Sequence, residues 1–425
     1  MKQEKHICIV GGGIVGACAA YFLNRSGFRV TIVEADRFGY GCSRGNCGYV
    51  SPSHVLPIAV PGIVGNTMKS MLSRKSPFYI KPRVDLALWR WLFKFWRRCN
   101  RGDMLASARV KHALLQSSFS LYEKFMDEEQ VQCDWEHRGL LFVYRDEEHF
   151  EHYGDTNRMI EKEFGVSAKP LPSRELVEFE PAIKPEIAGA WLYECDAHLR
   201  SDLLMASFAE LLKSRGVEIL EQTRFEEMVA RTGDGKGVGG GRASAAKTSR
   251  GIIEADEFVL ATGAWTPKLA REIGCSVPIQ PGKGYSITMP RPALCPKIPM
   301  IFEQHRVAIT PFESGYRIGS TMELAGYDSS INRARLDLLR ESSELYLQDP
   351  HCDPVEMEWF GWRPLTYDDL PIIDRTPRWN NVLVAAGHGM LGLSMGMVSG
   401  KMIDEMMRGE KTHIDRNWVS FNRLA

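Results

Sequence analysis

Along the first forty residues, apolar and polar positions fall in blocks. The run His6-Ile-Cys-Ile-Val10 is apolar, four glycines follow between Gly11 and Gly16, a helix-compatible segment opening on the small residues Ala17 to Ala20 runs to Gly27, and Arg29-Val-Thr-Ile-Val33 ends on Glu34. The pattern predicts strand, tight turn, helix, strand. Helical periodicity recurs over 107–130 and 155–165, and Gly139-Leu-Leu-Phe-Val-Tyr144 reads as a strand. Pro170, Pro172, Pro181 and Pro185 mark connections. Ser201 to Arg215 is amphipathic, with Gly216 as its stop, and leads into a strand at Val217–Leu220. Residues 233–251, rich in Gly, Lys and Ser, read as the loop of a hairpin without chemistry. Ile252 to Leu260 reads as one strand, strands alternate with turns from Val277 to Gly319, Val382 to Ala386 is a strand, and Ser394 to Arg408 is a helix stopped by Gly409.

Residues 84–101 differ in character. Arg90, Lys94, Arg97 and Arg101 share one helical stripe. Trp89, Leu92, Phe93 and Trp96 form an adjacent apolar face, with Trp91 and Phe95 beside it, and no acid falls between Asp85 and Asp103. Such a helix suits peripheral contact with a bilayer interface. The alternative is a helix packed on its own protein with a solvated basic face.

Composition narrows the classes. A chain of 425 residues exceeds one simple layer, so two domains are expected. Lys+Arg and Asp+Glu balance at 53 each, which gives no global field for nucleic acid. Ten cysteines are scattered with no Cys-x-x-Cys and no zinc spacing, so no metal is expected and a reducing compartment is. No apolar run is long enough to span a membrane; the best later candidate is broken by Pro57 and Pro61. Lys2 and Lys5 before an apolar stretch resemble a signal peptide, but the glycines suit a turn better. The expectation is a cytoplasmic protein, or one peripheral on the cytoplasmic face of the inner membrane.

The chemistry starts at the glycine turn. Gly11, Gly13 and Gly16 fit G-x-G-x-x-G between two strands, with Ile14 and Val15 opening the helix that would face a pyrophosphate. Glu34, followed by Ala35, sits where a carboxylate accepts ribose hydroxyls. The loop Gly39 to Tyr49 carries Ser43, Arg44, Asn46, Cys47 and Gly48, which would run back over the nucleotide. Ser51 to Gly65 reads as a covering loop that carries His54. The expected fold is α/β: a Rossmann-like nucleotide domain in three pieces (1–80, 190–278 and 357–425) and an α+β, mixed-sheet substrate domain inserted twice (81–189 and 279–356).

Four pieces together, in order along nearly the whole chain, resemble the D-amino acid oxidase superfamily of flavoproteins. They are Gly11–Gly16 with Glu34; Ala261-Thr262-Gly263-Ala264-Trp265; Gly361-Trp362-Arg363-Pro364; and Gly387-His388-Gly389-Met390-Leu391-Gly392, followed by Leu393. Lys283-Gly-Tyr285-Ser286, Arg306-Val-Ala-Ile-Thr310 and the Gly387 loop look most like the small-subunit branch of bacterial D-amino acid dehydrogenases. The resemblance implies non-covalent FAD, oxidation of an amine to an imine, a D-amino or cyclic imino acid as substrate, and a membrane quinone as electron acceptor. An oxygen-using oxidase, or a non-catalytic flavin-binding subunit, are the other readings. Arg363 matches the family's carboxylate-binding arginine, its alternative being an ion pair with Asp368 or Asp369. Tyr285 is either an assisting hydroxyl or a core tyrosine, and His388 either a donor to the flavin or a loop residue. The polar stretch Asn46 to His54 departs from the pattern; His54 either shapes specificity or is structural. Cys42 and Cys47 are expected near the flavin without covalent attachment.

Overall fold

The structure is a computed structural model that describes residues 5–63, 76, 78–230 and 240–424. One sheet has six strands in the order Ile372–Arg375, Val382–Ala386, Glu257–Leu260, His6–Val10, Arg29–Val33, Glu218–Leu220. Its pairs are parallel except for the edge hairpin of the first two. Central parallel strands are covered on both faces and need continuous apolar runs, which Ile7–Val10, Phe258–Leu260 and Val382–Ala386 supply.

The helices Ile14–Arg25 and Gly396–Arg408 lie against one another on this sheet. Their contact needs glycine: a Cβ on Gly400 would stand 2.5 Å from the carbonyl carbon of Cys18. The long helix Arg101–Glu129 completes the layer, with Leu114, Leu115 and Tyr122 in one core with Ala17, Ala20, Met397 and Ile403. The Tyr122 hydroxyl donates to the Leu393 carbonyl at 2.8 Å.

A second, nine-stranded sheet runs Met357–Thr366, Ile279–Met289, Gly315–Leu324, Val307–Phe312, Met300–Phe302, Leu140–Tyr144, Gly189–Tyr193, Lys169–Pro172, with Phe78–Ile80 added on Gly315–Leu324. Strand alternation divides it into two faces. Tyr285, Ile287, Met300, Ile309 and Ile318 enter a core with Leu336 and Leu339 of the helix Arg333–Glu344. Gly284 and Ser286 point the other way, towards the nucleotide domain, where the Ser286 hydroxyl donates to the Gly45 carbonyl at 2.9 Å.

Several expectations shift. Residues 243–248, expected inside a loop, are the central strand of a three-stranded antiparallel sheet between Phe225–Ala230 and Gly251–Glu254; residues 231–239 lie outside the described residues. Ile252–Leu260 is two strands in different sheets, Gly251–Glu254 and Glu257–Leu260, because the chain turns at Ala255-Asp256. The helices Arg101–Glu129 and Glu147–Phe164 begin earlier than the periodicity suggests, where Asn100 and Asp146 cap them through their side chains. Sheet membership also moves the domain division. Phe78–Ile80, Gly189–Tyr193 and Met357–Thr366 belong to the nine-stranded sheet, while the helix Arg101–Glu129 packs on the nucleotide layer.

Candidate active site

At the glycine turn the three fingerprint positions differ in what surrounds them. Gly11 has φ 112°, and a Cβ there would stand 2.4 Å from the Ala261 carbonyl oxygen; one on Gly16 would stand 2.0 Å from that of Gly11. These two positions are closed to any side chain. A Cβ on Gly13 would meet only Ser43 Oγ, at 3.4 Å, so the space above it is open. The helix Ile14–Arg25 starts there with no side-chain cap from Gly13 and no acid in its first turn, and the Ile14 N–H donates to Ser43 Oγ at 3.0 Å. Val15 is partly buried behind it. The Glu34 carboxylate accepts from the N–H groups of Gly12 (2.7 Å) and Asp36 (2.9 Å), which fixes it at the end of its strand beside exposed Ala35. An open cradle at an acid-free helix start, with an oriented carboxylate nearby, fits a pyrophosphate and a ribose.

The next loop is held from below by residues that sequence reasoning missed. Asn46 Oδ1 accepts from the Gly48 N–H at 2.7 Å, and the Asn46 carbonyl accepts from Arg317 Nη1 at 2.6 Å and from the Ser201 hydroxyl at 3.0 Å. Arg317 is fully buried and also donates to Asp202 (2.7 Å) and to Thr288 Oγ1 (2.9 Å). A lone arginine inside the apolar run Tyr316-Arg-Ile was the available signal. Arg44 turns aside and stacks over the Tyr40 ring at 3.7 Å. A Cβ on Gly319 would stand 2.6 Å from Cys47 Sγ, which places Cys47 against the nine-stranded sheet. Burial pushes the Cys42 thiol up to about 11 and raises that of Cys47, so both stay protonated.

Arg363 reaches over that sheet. Its strand pairs with Ile279–Met289 in the register Gly282 to Arg363 and Gly284 to Gly361. The guanidinium donates to the carbonyls of Thr321 (2.7 Å) and Ser320 (3.4 Å). Those residues have φ 46° and 96°, strained values for non-glycines, at a register jump in the pairing of Gly315–Leu324 with Ile279–Met289. Burial lowers its pKa, and beside it lie the thiols of Cys42 and Cys47, which are neutral when protonated. The ion-pair alternative is ruled out, because Asp368 pairs with Arg423 (3.0 Å) and Asp369 with Lys111 (2.6 Å). Among the described residues no carboxylate meets Arg363, and a half-buried guanidinium without one fits a carboxylate ligand.

Other expected residues are dispersed around this centre. Tyr285 lies on the opposite face of its strand from Gly284, wholly buried, and its hydroxyl donates to Glu323 at 2.7 Å; the structure does not bring it to Arg363. His54 packs edge-on against Phe142 (5.5 Å) with Nδ1 unpartnered, and burial, then the charges of Lys111 and Arg306, lower it to about 3, so it is neutral. His388 is also neutral, lowered to about 3 by burial, and its Nε2 is 2.8 Å from Ser399 Oγ. The loop around it is tied to the arginine's strand: the Gly389 N–H donates to the Pro364 carbonyl at 3.0 Å, and Gly387 and Gly389 take φ 83° and 55°. Within it Leu391 N–H returns to the His388 carbonyl (3.0 Å), Met390 is exposed, Gly392 is partly buried, and Leu393 is buried. Ala261 donates to the Val10 carbonyl (2.8 Å), Thr262 Oγ1 meets Thr266 Oγ1 (2.9 Å), and Gly263 has φ 51°. Trp265 stacks on Tyr327 (4.9 Å) and meets Trp362 (5.3 Å), whose side chain alternates with that of Arg363, so this cluster lies behind the sheet.

The covering loop is pinned by a second missed pair. Lys111 donates to Asp369 and to the Leu56 carbonyl (2.8 Å), and the Ile58 N–H donates to Asp369 at 3.3 Å. A lysine within the 107–130 helical pattern was its only trace. Among the described residues no group of three His, Cys, Asp or Glu is placed to hold a metal ion, and no helix is long and apolar enough to cross a membrane.

Comparison with known proteins bears on this site. A family model described as FAD dependent oxidoreductase matches residues 6–406. The D-amino acid dehydrogenase of Granulibacter bethesdensis is 31% identical over 429 residues, which is 99% of each chain. That of Agrobacterium fabrum is 29% identical over 426 residues, 99% of this chain and 100% of its own. Among solved structures, glycine oxidase from Geobacillus kaustophilus superposes with a TM-score of 0.78 at 20% identity, covering 99% of each chain.

Proposed function

Because the chain belongs to the FAD-dependent oxidoreductase family and is an amino acid dehydrogenase with FAD as its cofactor, we propose that its substrate is a D-amino acid or cyclic D-imino acid, such as D-alanine, D-proline or D-hydroxyproline. The product is the imine, which water hydrolyses to the 2-oxo acid unless the imine is cyclic. In this reading the electrons pass on to a membrane quinone, and the enzyme is peripheral on the cytoplasmic face. Bound FAD supplies the acceptor, at N5, for the hydride leaving the substrate Cα.

The chain's own residues do the rest. Gly11, Gly13, Gly16, the Ile14 helix start and Glu34 hold the nucleotide end, and the Ser43–Gly48 and Gly387–Leu393 loops hold the ring. Arg363 clamps the substrate carboxylate in a bidentate pair and so fixes which Cα hydrogen is presented. His54, neutral and with a free Nδ1, stands on the covering loop as a specificity residue rather than a cation. The amine binds unprotonated, so no catalytic base is required.

The unpaired guanidinium of Arg363 carries this reading. Anaerobic mixing of the purified holoenzyme with a panel of D- and L-amino acids tests it: bleaching by D forms is the expected result, and bleaching by L forms alone would overturn the assignment. An oxygen-using oxidase is the second reading, favoured by the glycine oxidase likeness. Reoxidation by dioxygen at the rate of steady-state turnover would establish it. A non-catalytic subunit has no carboxylate to clamp, so Arg363 counts against that alternative.

A further inference from the structure

The helix Leu86–Arg98 has two apolar faces, and the molecule uses one. Leu88, Trp91 and Phe95 are buried in a core with Met322, Leu365 and Tyr367, and Trp91 Nε1 donates to the Leu365 carbonyl at 3.1 Å. On the other side Leu86, Trp89, Phe93 and Trp96 recur in one stripe and are 71%, 60%, 56% and 57% exposed. Leu92, expected in one apolar face with Trp89, Phe93 and Trp96, is partly buried and packs against the inner core. Basic residues occupy the neighbouring sector. Arg90 and Arg97 are exposed and make no ion pair among the described residues, whereas the acids at the helix ends are taken, Asp85 by Arg83 (3.0 Å) and Asp103 by Arg98 (2.9 Å).

An exposed row of three large aromatics needs an occupant. A second copy docking through the same stripe would set Arg90 and Arg97 against the same arginines of its partner, which like-charge repulsion opposes. A bilayer with anionic headgroups meets both halves of the pattern, with tryptophans at headgroup level and guanidinium groups on phosphates. We propose that this helix lies in the plane of an anionic membrane, with Leu86, Trp89, Phe93 and Trp96 as the inserted face and Arg90 and Arg97 as the headgroup contacts.

The inner face of the same helix holds the strand that carries Arg363. Docking therefore sets that strand about one helix diameter, ~10 Å, from the bilayer. This consequence rests on the quinone-acceptor reading, since a lipid-soluble acceptor would meet the enzyme there. The docking itself does not rest on that reading.

The test uses holoenzyme and vesicles of phosphatidylcholine, with and without phosphatidylglycerol. Wild type is expected to co-sediment with the anionic vesicles at low salt and to release at high salt. The triple variant W89S/F93S/W96S should lower the partition coefficient by tenfold or more, roughly, and R90E/R97E by about tenfold or more. Both should keep wild-type turnover with a soluble dye, which shows that they fold. A wild type that never binds anionic vesicles, or a triple variant that binds undiminished, overturns the docking face. So does a stripe whose loss only converts a dimer to a monomer in sedimentation equilibrium. Vesicles loaded with a lipid-soluble quinone separate the two claims. Binding through the stripe without quinone reduction would refute the acceptor while docking stands, and equal quinone reduction by the triple variant would refute docking while the acceptor stands.

Discussion

The guanidinium of Arg363 rests directly on Gly284: a Cβ built on that glycine would stand 2.4 Å from both Cζ and Nη2 of the arginine. Gly284 is thus the floor that lets Arg363 reach the strained carbonyls of Ser320 and Thr321. The clash in Gly284→Ala is with the far end of a long side chain, so the fold survives and the guanidinium is displaced. The expected outcome is unchanged flavin content and melting temperature, with kcat/KM lowered by on the order of a hundredfold, as for other misplacements near 1 Å. Steady-state kinetics beside a flavin absorbance spectrum check it.

Removing the charge tests the clamp itself. Arg363→Ala is expected to lower kcat/KM by on the order of a hundredfold or more, because hydrogen bonds to charged groups are each worth ~1.5–3 kcal/mol. Arg363→Lys should recover only part, since an ammonium keeps the charge but loses the fork. Kinetics unchanged in the alanine variant would remove the arginine from substrate binding.

How much of this site the sequence shows depends on whether the constraint is local. Gly11 and Gly16 are legible because the atoms that exclude a side chain lie close along the chain or at the end of a neighbouring strand. Arg363 is legible through its Gly-Trp-Arg-Pro context. Lys111 and Asp369 are not, because the pair joins positions 258 residues apart. The same holds for Arg317, whose partners Asn46 and Asp202 come from two other elements. Tyr285 shows the limit in another way: the resemblance over Lys283–Ser286 makes it a site candidate, but strand alternation sends it to the far core. The strand Ala243–Thr248 was hidden by composition, since Ala, Ser and Lys carry little strand preference and its pairing depends on both neighbours.

The glycines of the turn divide into two kinds of lesion. Gly13→Val fills an open cradle, so the apoprotein should fold with near-wild-type circular dichroism and fail to retain FAD. Gly16→Val drives its Cβ into the Gly11 carbonyl and should lower expression of folded protein altogether. A yellow Gly13→Val protein would show that the phosphates do not pass there.

Lys111 and Asp369 form a buried pair, 2% and 7% exposed, that pins the covering loop through Leu56 and Ile58. Lys111→Met leaves a buried carboxylate without its partner and is expected to cost ~3–5 kcal/mol. Adding Asp369→Asn should return much of that loss, because the amide is neutral and asparagine tolerates the φ of 58° at this position. Chemical denaturation of the single and double variants measures the coupling, and strict additivity would mean that the two side chains do not interact.

Asp196 supplies a pH dependence whose sign can be worked out. It is fully buried, meets no cation among the described residues, accepts from the Ser53 N–H (3.0 Å) and hydroxyl (2.5 Å), and burial raises it from 3.8 to about 7. A carboxyl whose folded value is raised contributes stability that is complete below the unfolded value and is lost as pH rises through the folded one. The loss therefore runs from about pH 4 to about pH 7. His54 and His388 act in the opposite sense, since burial lowers both from 6.5 to about 3 and their contribution is lost as pH falls from about 6.5. They are common to wild type and Asp196→Asn, so the comparison of those two proteins cancels them. An amide at 196 still accepts from the Ser53 N–H and donates to its hydroxyl, but never has to ionise. Between pH 5 and pH 8, wild type should therefore lose a few degrees of melting temperature, on the order expected for ~2–3 kcal/mol in a chain of this size, relative to Asp196→Asn. Parallel melting curves across that window would mean that Asp196 stays ionised, or stays protonated, throughout.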